Sequence, residues 1–335
     1  MSCVGIVAIG RNEGERLVTC INSLSQYIDQ GISVIYVDSG STDNSCTFAR
    51  SQNIEVVSLD SSLPFTAARA RNAGFERLIE VCPEVEYIQF IDGDCEIVSG
   101  WIEAACEELD RNSLVVAVCG WRRERHPDAS AFNRICDVEW HMGNLGETSN
   151  FGGDVMIRAK SLKAVGGYNP TVIAAEDDEL SVRLRQSSGL ILRIDRDSTI
   201  HDANMHTIGQ WWQRAKRCGY AYALVHSLHG SPPECKFSKE VRRTWLWGML
   251  VPLGALGLVL LTKGLSLVLF LRYPLSALRV VLTTWRRGFT VKDSIPWGIS
   301  CGFSVFPETL GLIKFYRDEW LSKEVKIIEY KSRER

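Results

Sequence analysis

Two aspartates separated by one glycine form the part of this sequence with the clearest chemical potential. Asp92, Gly93 and Asp94 follow directly after a short apolar run within IQFIDGDCEI, residues 88–97. Carboxylates two positions apart on an extended chain leave it on the same side, and the glycine lets the backbone bend so that both face one ion. Such a pair suits a hard divalent cation that keeps some water and shares its remaining positions with a diphosphate. The motif therefore indicates a metal site that handles nucleotides.

The same tripeptide has two simpler interpretations. Asp-Gly is a common turn pair, so the segment could be a surface turn without chemistry. A calcium-binding loop of the EF-hand type is the other alternative, but that pattern requires glycine where this chain has Ile97. The spacing excludes the calcium-binding loop, whereas the surface turn stays a possible interpretation of these three residues taken alone.

Size and composition are those of a globular protein. The chain has 335 residues, 45% hydrophobic and 23% charged, which allows one sizeable domain and an appendage. The formal net charge of −2 argues against a nucleic-acid partner, because such domains are strongly basic. Eleven cysteines without a CxxC pair predict reduced thiols in the cytosol. The N-terminal MSCVGIVAIGRNEG lacks the basic opening of a signal peptide, so we expect the first domain on the cytosolic side.

Short apolar runs alternate with amphipathic stretches through the first half, a pattern typical of an α/β fold with a mainly parallel sheet flanked by helices. Ligands of such open sheets sit beyond the carboxyl ends of the strands. Polar candidates fall at these ends: Arg11 to Glu13 after the first strand, Asp38 after the second, and Asp92 and Asp94 after the fourth. We therefore expect one shared pocket. The predicted strands cover residues 4–10, 33–37, 54–59, 87–91 and 114–120, with helices over 15–28, from about 44, over 67–81 and after 99.

A dinucleotide-binding oxidoreductase is the obvious competitor for such a sheet. The first turn reads GIVAIGRNEG and lacks the GxGxxG loop that brings a pyrophosphate against the backbone. The GxxxxGK[ST] loop of P-loop enzymes is also missing from the sequence. We therefore expect a metal ion to handle the phosphates.

Two later segments carry polar side chains whose function the pattern leaves open. Residues 122–146 lose regular periodicity, which predicts either a loop that covers the site or an ordinary surface excursion. Residues 174–189 predict a helix that opens with four acids, Glu176 to Glu179. Acids suit the positive end of a helix dipole, so this cluster could serve solubility alone.

Seven blocks of the sequence, taken in order, resemble those of the family 2 glycosyltransferases, whose nucleotide-sugar-binding α/β domain has the GT-A fold. The resemblance covers roughly residues 4–225 and implies inverting transfer of a sugar from a nucleoside-diphosphate sugar. The blocks are AIGRNEGERL, VIYVDSGSTDNS, ARARNAGFERL, QFIDGDCEI, GGDVMIRAKSLKAVGGYNP, EDDELSVRLRQSSG and HDANMHTIGQWWQRAKRCGYAYA.

The resemblance implies residues that bind the nucleoside. Asp38 occupies the place of the first Asp of the family's Asp-Asp-Gly-Ser pattern, near the nucleobase. Ser39 replaces the second Asp, which leaves the base preference open. Ile9, Arg11 and Glu13 match the first-strand positions that line the nucleoside.

The resemblance also implies a phosphate and metal site. Arg71 matches a neighbour of the diphosphate, and Asp92 and Asp94 match the Asp-X-Asp motif, so that Mg²⁺ or Mn²⁺ would bridge Asp94 to the two phosphates. His201 matches a histidine that can complete the metal shell, with a structural histidine as the alternative. A divalent cation would stabilise the negative charge that develops on the departing diphosphate.

An acceptor hydroxyl must lose its proton as it attacks the sugar, which calls for a carboxylate opposite the metal. Glu176-Asp177 aligns with the family's Glu-Asp pair, which makes Asp177 the predicted base and Asp178 the alternative. The interpretation requires that an acid of this cluster and the aspartates around residue 93 face one cavity.

The last third of the chain predicts a membrane-embedded helical segment. Two apolar stretches, 245–261 and 265–282, predict a hydrophobic transmembrane helical hairpin over 240–283. Its basic flanks would lie on one side of the membrane, with Lys263 alone in the far loop. Arg272 and Arg279 interrupt the second stretch, and charges inside a bilayer are costly. A re-entrant or interface-lying helix and a soluble bundle are therefore the alternatives.

Residues 284–335 predict an amphipathic helix at the interface followed by a polar tail, and residues 1–230 the catalytic domain. We expect a metal-dependent glycosyltransferase that acts on a lipid-linked or polysaccharide acceptor at the cytoplasmic face of the plasma (inner) membrane. The alternatives are a sugar nucleotidyltransferase, although GRNEGER has only a trace of the Gly-rich basic loop that a triphosphate requires, and a non-catalytic membrane assembly subunit. The sequence leaves open the sugar, the base, the acceptor, the number of spans and the oligomeric state.

Overall fold

The computed structural model describes residues 3–321, which divide into two compact units. The first unit contains the chain up to Arg125 together with Gly143–Asp202, and the second contains His126–Met142 and the chain from Ala203 onward. The predicted catalytic domain, 1–230, thus extends beyond the first unit into the second. The predicted polar tail lies, from residue 322, outside the described residues.

The first unit is built on one mixed sheet whose order is β3-β2-β1-β4-β8-β6-β9-β5, with β7 beside β9. The first four strands are mutually parallel where they pair, and β6 is parallel to β9. β8 runs antiparallel to β4 and β6, and β5 and β7 run antiparallel to β9. The strands are β1 Val4–Gly10, β2 Ser33–Asp38, β3 Glu55–Ser58, β4 Tyr87–Asp92, β5 Cys95–Ile97, β6 Val115–Glu124, β7 Gly146–Glu147, β8 Val155–Arg158 and β9 Leu190–His201.

Helices cover both faces of this sheet, so the predicted α/β fold with a mostly parallel sheet is confirmed. Along β1, Ile6 and Ala8 pack on one face and Val7 and Ile9 on the other, which is the period of two that a strand buried on both sides requires. The helices of the described chain are α1 Glu15–Asp29, α2 Ser45–Ser51, α3 Ala67–Val81, α4 Trp101–Arg111, α5 Ala131–Trp140, α6 Ala159–Ala164, α7 Glu176–Gln186, α8 Ile208–His229, α9 Ser238–Trp245, α10 Val251–Gly257, α11 Arg272–Arg286, α12 Val291–Phe303 and α13 Val305–Trp320.

The strand order reverses at β1, which has β2 on one side and β4 on the other. Gly10 pairs with Asp38 and Ile9 pairs with Asp92, so the residues that end these strands lie along one edge. Open α/β sheets bind ligands in the crevice at such a switch point. α3 packs closely beneath this edge because Gly74 has no Cβ, which would collide with side chains of β1 and β2.

Residues 122–146, predicted as a loop, contain regular structure instead. β6 continues to Glu124, and α5 begins after Ser130, whose hydroxyl accepts from Asn133 N at 2.9 Å as a helix N-cap. Ile135, Cys136 and Val138 are buried within the second unit. The loop prediction was wrong because charged and polar residues interrupt the apolar residues of this short helix and obscure their spacing, whereas its buried residues pack within the second unit.

In the second unit, α12 packs closely against α11. A Cβ on Gly298 or Gly302 would collide with Ala277 and its neighbours on α11, so glycine is what allows the approach. The chain between α9 and α10 continues as a wider helical turn, Leu246–Leu250, and a tight helical segment, Leu265–Leu271, leads into α11. Among the described residues, one helix, Leu265–Arg286, is long and apolar enough to cross a membrane.

Candidate active site

Two arginines hold the carboxylate of Asp92 at the end of β4. Arg71 Nη2, from α3, donates to Asp92 Oδ1 at 2.8 Å, and Arg122 Nη2, from β6, donates to Oδ2 at 3.3 Å. Asp92 is thereby held in one orientation at the switch point, next to Ile9 of β1.

Arg71 also reaches the acidic cluster at the start of α7. Its side chain is 2% exposed, its Nη1 donates to Glu176 Oε1 at 2.7 Å, and the same nitrogen lies 3.8 Å from Asp177 Oδ1. One buried guanidinium therefore contacts the Asp-X-Asp segment and the predicted base. The structure brings together the two groups of acids that the interpretation requires to be neighbours.

The four acids of this cluster differ in their surroundings. Glu179 forms an ion pair with Arg183 at 2.6 Å, and Asp178 Oδ1 accepts from Asn150 Nδ2 at 3.2 Å. The first contact lies within α7, and the second ties α7 to Asn150, so both stabilise the local structure. Asp177 remains the acid with the environment of a base.

The pKa of Asp177 is raised to about 8, chiefly by burial; the Arg71 guanidinium opposes this shift and the Glu176 carboxylate adds to it. A carboxylate with a pKa near neutrality accepts protons more readily than an ordinary one. Its side chain is 14% exposed, so it is mostly buried but still accessible.

Asp94 and His201 form the candidate metal centre. The antiparallel pairing of β5 with β9 places Cys95 opposite His201, and His201 Nε2 lies 3.3 Å from Asp94 Oδ2. Two adjacent ligands of one octahedral ion at about 2.1 Å are about 3 Å apart, so this spacing fits Mg²⁺ or Mn²⁺. Carboxylate and imidazole are both ligands of such ions.

The protonation of the neighbouring groups supports this donor set. Burial and the nearby Arg122 guanidinium lower the pKa of His201 to about 4, so its ring is neutral and has a lone pair to offer. Burial and the carboxylates of Asp154 and Asp92 raise the pKa of the Cys95 thiol well above its usual range. The thiol therefore stays protonated and leaves the metal to oxygen and nitrogen ligands.

The predicted nucleoside residues lie along the edge formed by β1 and β2. Asp38 is buried, and its Oδ2 accepts from the backbone N–H groups of Gly40 and Ser41 at 3.0 and 2.9 Å, which orders the loop after β2. Arg11 lies over the ring of Phe65 at 5.3 Å.

The other two predicted nucleoside residues flank Gly93. The Ile9 carbonyl accepts from Gly93 N at 2.7 Å. Glu13 pairs with Arg16 at 3.1 Å, and a Cβ on Gly93 would touch the Glu13 side chain. The tighter contact of such a Cβ would be with the Ile9 carbonyl oxygen, at 3.0 Å, so a side chain at position 93 would strain the pairing of Gly93 with β1.

Sequence reasoning missed a buried carboxylate that organises this site. Asp154, in β8's leading turn, accepts from Arg122 Nε at 2.7 Å and from the Thr199 hydroxyl, and its Oδ1 lies 3.4 Å from Asp92 N. It lies within the block GGDVMIR, but nothing in that block indicates that this aspartate is buried. Asp154 orients the arginine that in turn orients Asp92.

Two further arginines near Asp94 were also missed. Arg16 and Arg125 line a small pocket of about 150 Å³ together with the carboxylates of Asp94, Glu15 and Asp202. This volume suits a phosphate-sized group rather than a whole nucleotide. Arg16 lies in the block AIGRNEGERL, whose basic residues close to the first strand were a signal for this position.

Comparison with known proteins shows which family part of this chain resembles. A family model described as Glycosyl transferase family 2 matches residues 6–165. The succinoglycan biosynthesis protein ExoA of Rhizobium meliloti (strain 1021) is 25% identical over 191 residues, 54% of this chain and 57% of that protein. Glycosyltransferase GlyG of Streptococcus pneumoniae serotype 4 (strain ATCC BAA-334 / TIGR4) is 29% identical over 118 residues, 34% of this chain and 38% of that protein. The matches thus span less than two thirds of the length of either relative.

Solved structures show the same fold. The mannosyltransferase PcManGT from Pyrobaculum calidifontis, in complex with GDP-Man and Mn²⁺, has a TM-score of 0.62 at 15% identity, over 93% of this chain and 87% of that chain. The fold is therefore that of the GT-A glycosyltransferases. Residues 6–165 match the Glycosyl transferase family 2 model, in agreement with the predicted resemblance to this family.

Proposed function

We propose that this protein is a metal-dependent, inverting glycosyltransferase that moves a sugar from a nucleoside-diphosphate sugar to a lipid-linked or polysaccharide acceptor at the cytoplasmic face of the plasma (inner) membrane. The observation that carries the proposal is the position of Arg71, which contacts Asp92 at 2.8 Å and lies 3.8 Å from Asp177. Donor site and base are thus close enough to act on one sugar.

The donor binds in the crevice beyond β1, β2 and β4. Asp38, Ile9, Arg11 and Glu13 line the nucleoside, as the family resemblance implies. The diphosphate lies near Asp94, where Arg16 and Arg125 line a pocket of phosphate size. Guanidinium groups suit phosphate oxygens because their donors are arranged as a planar fork.

Asp94 and His201 would hold the divalent cation, whose chemistry is to stabilise the negative charge on the departing diphosphate. Asp92 does not need to bind the ion, since both its oxygens already accept from Arg71 and Arg122. Its role is to keep these arginines in place while the donor binds. PcManGT was solved with GDP-Man and Mn²⁺, which supports a nucleotide sugar and a divalent ion here.

Asp177 accepts the proton of the acceptor hydroxyl as that oxygen attacks the anomeric carbon. The bond from this carbon to the diphosphate breaks as the new one forms on the opposite face, which inverts the configuration. A single positioned base is sufficient for this displacement. Burial favours the protonated form of Asp177, so its carboxylate has a higher proton affinity than that of an ordinary aspartate.

The membrane part of the proposal has separate support. Large apolar side chains are exposed along the second unit, including Leu260 at 88% and Leu261 at 81%, and a soluble surface rarely carries many such side chains together. ExoA is named for succinoglycan biosynthesis, which supports an acceptor of the polysaccharide class.

A thermal-shift screen of nucleoside-diphosphate sugars with Mn²⁺ in detergent tests the proposal, because a ligand that binds the folded state raises Tm. We expect one donor to stabilise the protein, Asp94→Ala to lose this shift, and Asp177→Asn to keep it while losing transfer. Release of pyrophosphate from a nucleoside triphosphate would favour a nucleotidyltransferase instead. If no nucleotide binds with Mn²⁺, the protein is better explained as a non-catalytic subunit.

A further inference from the structure

Charge is distributed very unevenly along this chain. The whole sequence has 38 basic and 40 acidic residues. Residues 241–292 nevertheless contain no acidic residue, and their basic residues are Arg242, Arg243, Lys263, Arg272, Arg279, Arg286, Arg287 and Lys292. A segment that is both apolar and purely cationic matches the surface of an anionic membrane.

The exposed side of α11 is divided into an apolar and a cationic stripe. Leu275, Leu278, Leu282 and Trp285 follow one another at intervals of three and four residues, and they are 61%, 53%, 41% and 55% exposed. Such spacing places them on one face of the helix.

The cationic stripe lies beside the apolar one. Arg272, Arg279 and Arg286 are exposed and occur at intervals of seven residues, which is two turns of helix. Arg272 lies over the ring of Trp247 at 4.8 Å, and tryptophan and arginine together are typical of the membrane–water interface.

This arrangement argues against a helix that crosses the bilayer. The stretch from Arg272 to Arg286 is about 21 Å long at 1.5 Å per residue, whereas the hydrocarbon core is about 30 Å thick. A spanning orientation would therefore place at least two of these arginines inside the hydrocarbon. Within residues 3–321 no carboxylate forms an ion pair with Arg279, so the charge would be uncompensated there.

An orientation in the plane of the membrane removes this conflict. The leucine stripe then enters the acyl region while all three arginines stay at the level of the lipid headgroups. α12, which packs on α11 through its glycines, adds a second apolar stripe with Val291, Ile295 and Ile299, each about half exposed.

The turn that precedes α11 is compatible with shallow insertion. Gly264 N donates to Val259 O at 2.8 Å, Thr262 N donates to Leu258 O at 2.9 Å, and Ser266 N donates to the Thr262 hydroxyl at 3.0 Å. Backbone groups that are bonded internally can enter hydrocarbon without leaving unsatisfied donors.

We propose that α11 is a monotopic anchor that lies in the plane of the bilayer and binds anionic glycerophospholipids through Arg272, Arg279 and Arg286. The inference rests on the membrane association within the proposed function, but not on sugar transfer. It replaces a hairpin that crosses the membrane by an anchor that enters one leaflet. The lipid class follows from the sign of the charges, since nothing on this segment would attract a cationic surface.

Vesicle flotation of the full-length protein, without donor, tests the anchor. The probes are vesicles of phosphatidylcholine alone and of phosphatidylcholine mixed with phosphatidylglycerol. We expect preferential binding to the mixed vesicles, which the triple variant Arg272→Gln, Arg279→Gln, Arg286→Gln weakens by roughly a hundredfold, because each basic residue near an anionic surface contributes about a fivefold gain. The matched control changes three exposed basic residues of the first unit, with Arg50→Gln, Lys160→Gln and Lys163→Gln, and should leave flotation unchanged.

Equal binding of the protein to both kinds of vesicle, or unchanged binding of the triple arginine variant, would overturn the proposal. Donor-induced stabilisation of the same variant shows whether it is folded. Loss of flotation with retained donor binding would concern the anchor alone, so this measurement separates the anchor from the proposed sugar transfer. Depth is tested with an epitope inserted between Lys263 and Gly264 in protein bound to sealed vesicles. Cleavage by external protease supports the in-plane anchor, whereas protection of the epitope inside the vesicle contradicts it.

Discussion

Asp177→Asn is the substitution that most directly tests the proposed chemistry. The amide has nearly the same shape as the carboxylate but cannot accept a proton from the acceptor. Positioned general bases contribute about 10²- to 10⁴-fold to rates, so we expect transfer to fall by about that factor. Donor binding should persist, because none of the residues proposed to hold the donor lies on α7.

The pKa of Asp177 gives a second, quantitative expectation. The pKa of this carboxyl group is raised above its usual value to about 8. Its active, deprotonated form is therefore a minority at neutral pH and becomes the majority as pH rises. From this pKa about a tenth of the side chains are ionised at pH 7 and about nine tenths at pH 9. The value of kcat/KM, which reports the free enzyme, should therefore rise about tenfold across this interval.

The assay is release of nucleoside diphosphate from the donor chosen by the binding screen, with a membrane fraction as the source of acceptor. Asp178→Asn is the matched control, since its carboxylate contacts Asn150 and should affect transfer only slightly. Transfer by Asp177→Asn at the parent rate, or a flat profile from pH 7 to pH 9, would refute the assignment of this base. Loss of transfer in Asp178→Asn alone would move the assignment by one residue.

Three further substitutions address the residues around this base. His201→Ala should weaken Mn²⁺ binding at least tenfold, measured by Mn²⁺ titration in the presence of donor, and unchanged Mn²⁺ affinity would exclude this ligand. Arg71→Met should lower the free energy of unfolding by about 3 to 5 kcal/mol, because it leaves buried carboxylates without their partner; urea denaturation measures this, and the exposed Arg77→Met is the control that should change little. Asp154→Asn should reduce donor affinity while the fold is retained, since Arg122 loses its partner, and equal donor affinity by thermal shift would argue against this positioning role.

Local patterns were sufficient to predict strands β1 to β4 of the first unit and the helices between them. The predicted strands 4–10 and 87–91 are β1 and β4 to within one residue, and the predicted helix 67–81 is α3. These elements are readable because their apolar residues recur with the period of the element that they form. The position of Asp92 and Asp94 at a strand end follows from the same pattern.

Helix α5 and Asp154 show where local patterns end. α5 is only ten residues long and polar residues interrupt its apolar ones, so its helix is stabilised by packing within the second unit rather than by a clear periodicity. Asp154 belongs to a network with Arg122 and Thr199, residues that are 32 and 45 positions away. A buried charge is tolerated only where it is paired, and here its partners come from distant parts of the chain, which the local sequence does not indicate.

The order of strands and helices, the polar residues at the strand ends and the cationic, apolar character of residues 241–292 were determined by the sequence alone, because each depends on neighbours along the chain. Tertiary structure alone decided which acid became buried beside Arg71, and that Asp94 and His201 stand 3.3 Å apart. Ion pairs, metal sites and shifted pKa values depend on distance through space, and folding sets that distance between residues as far apart as Arg71 and Glu176.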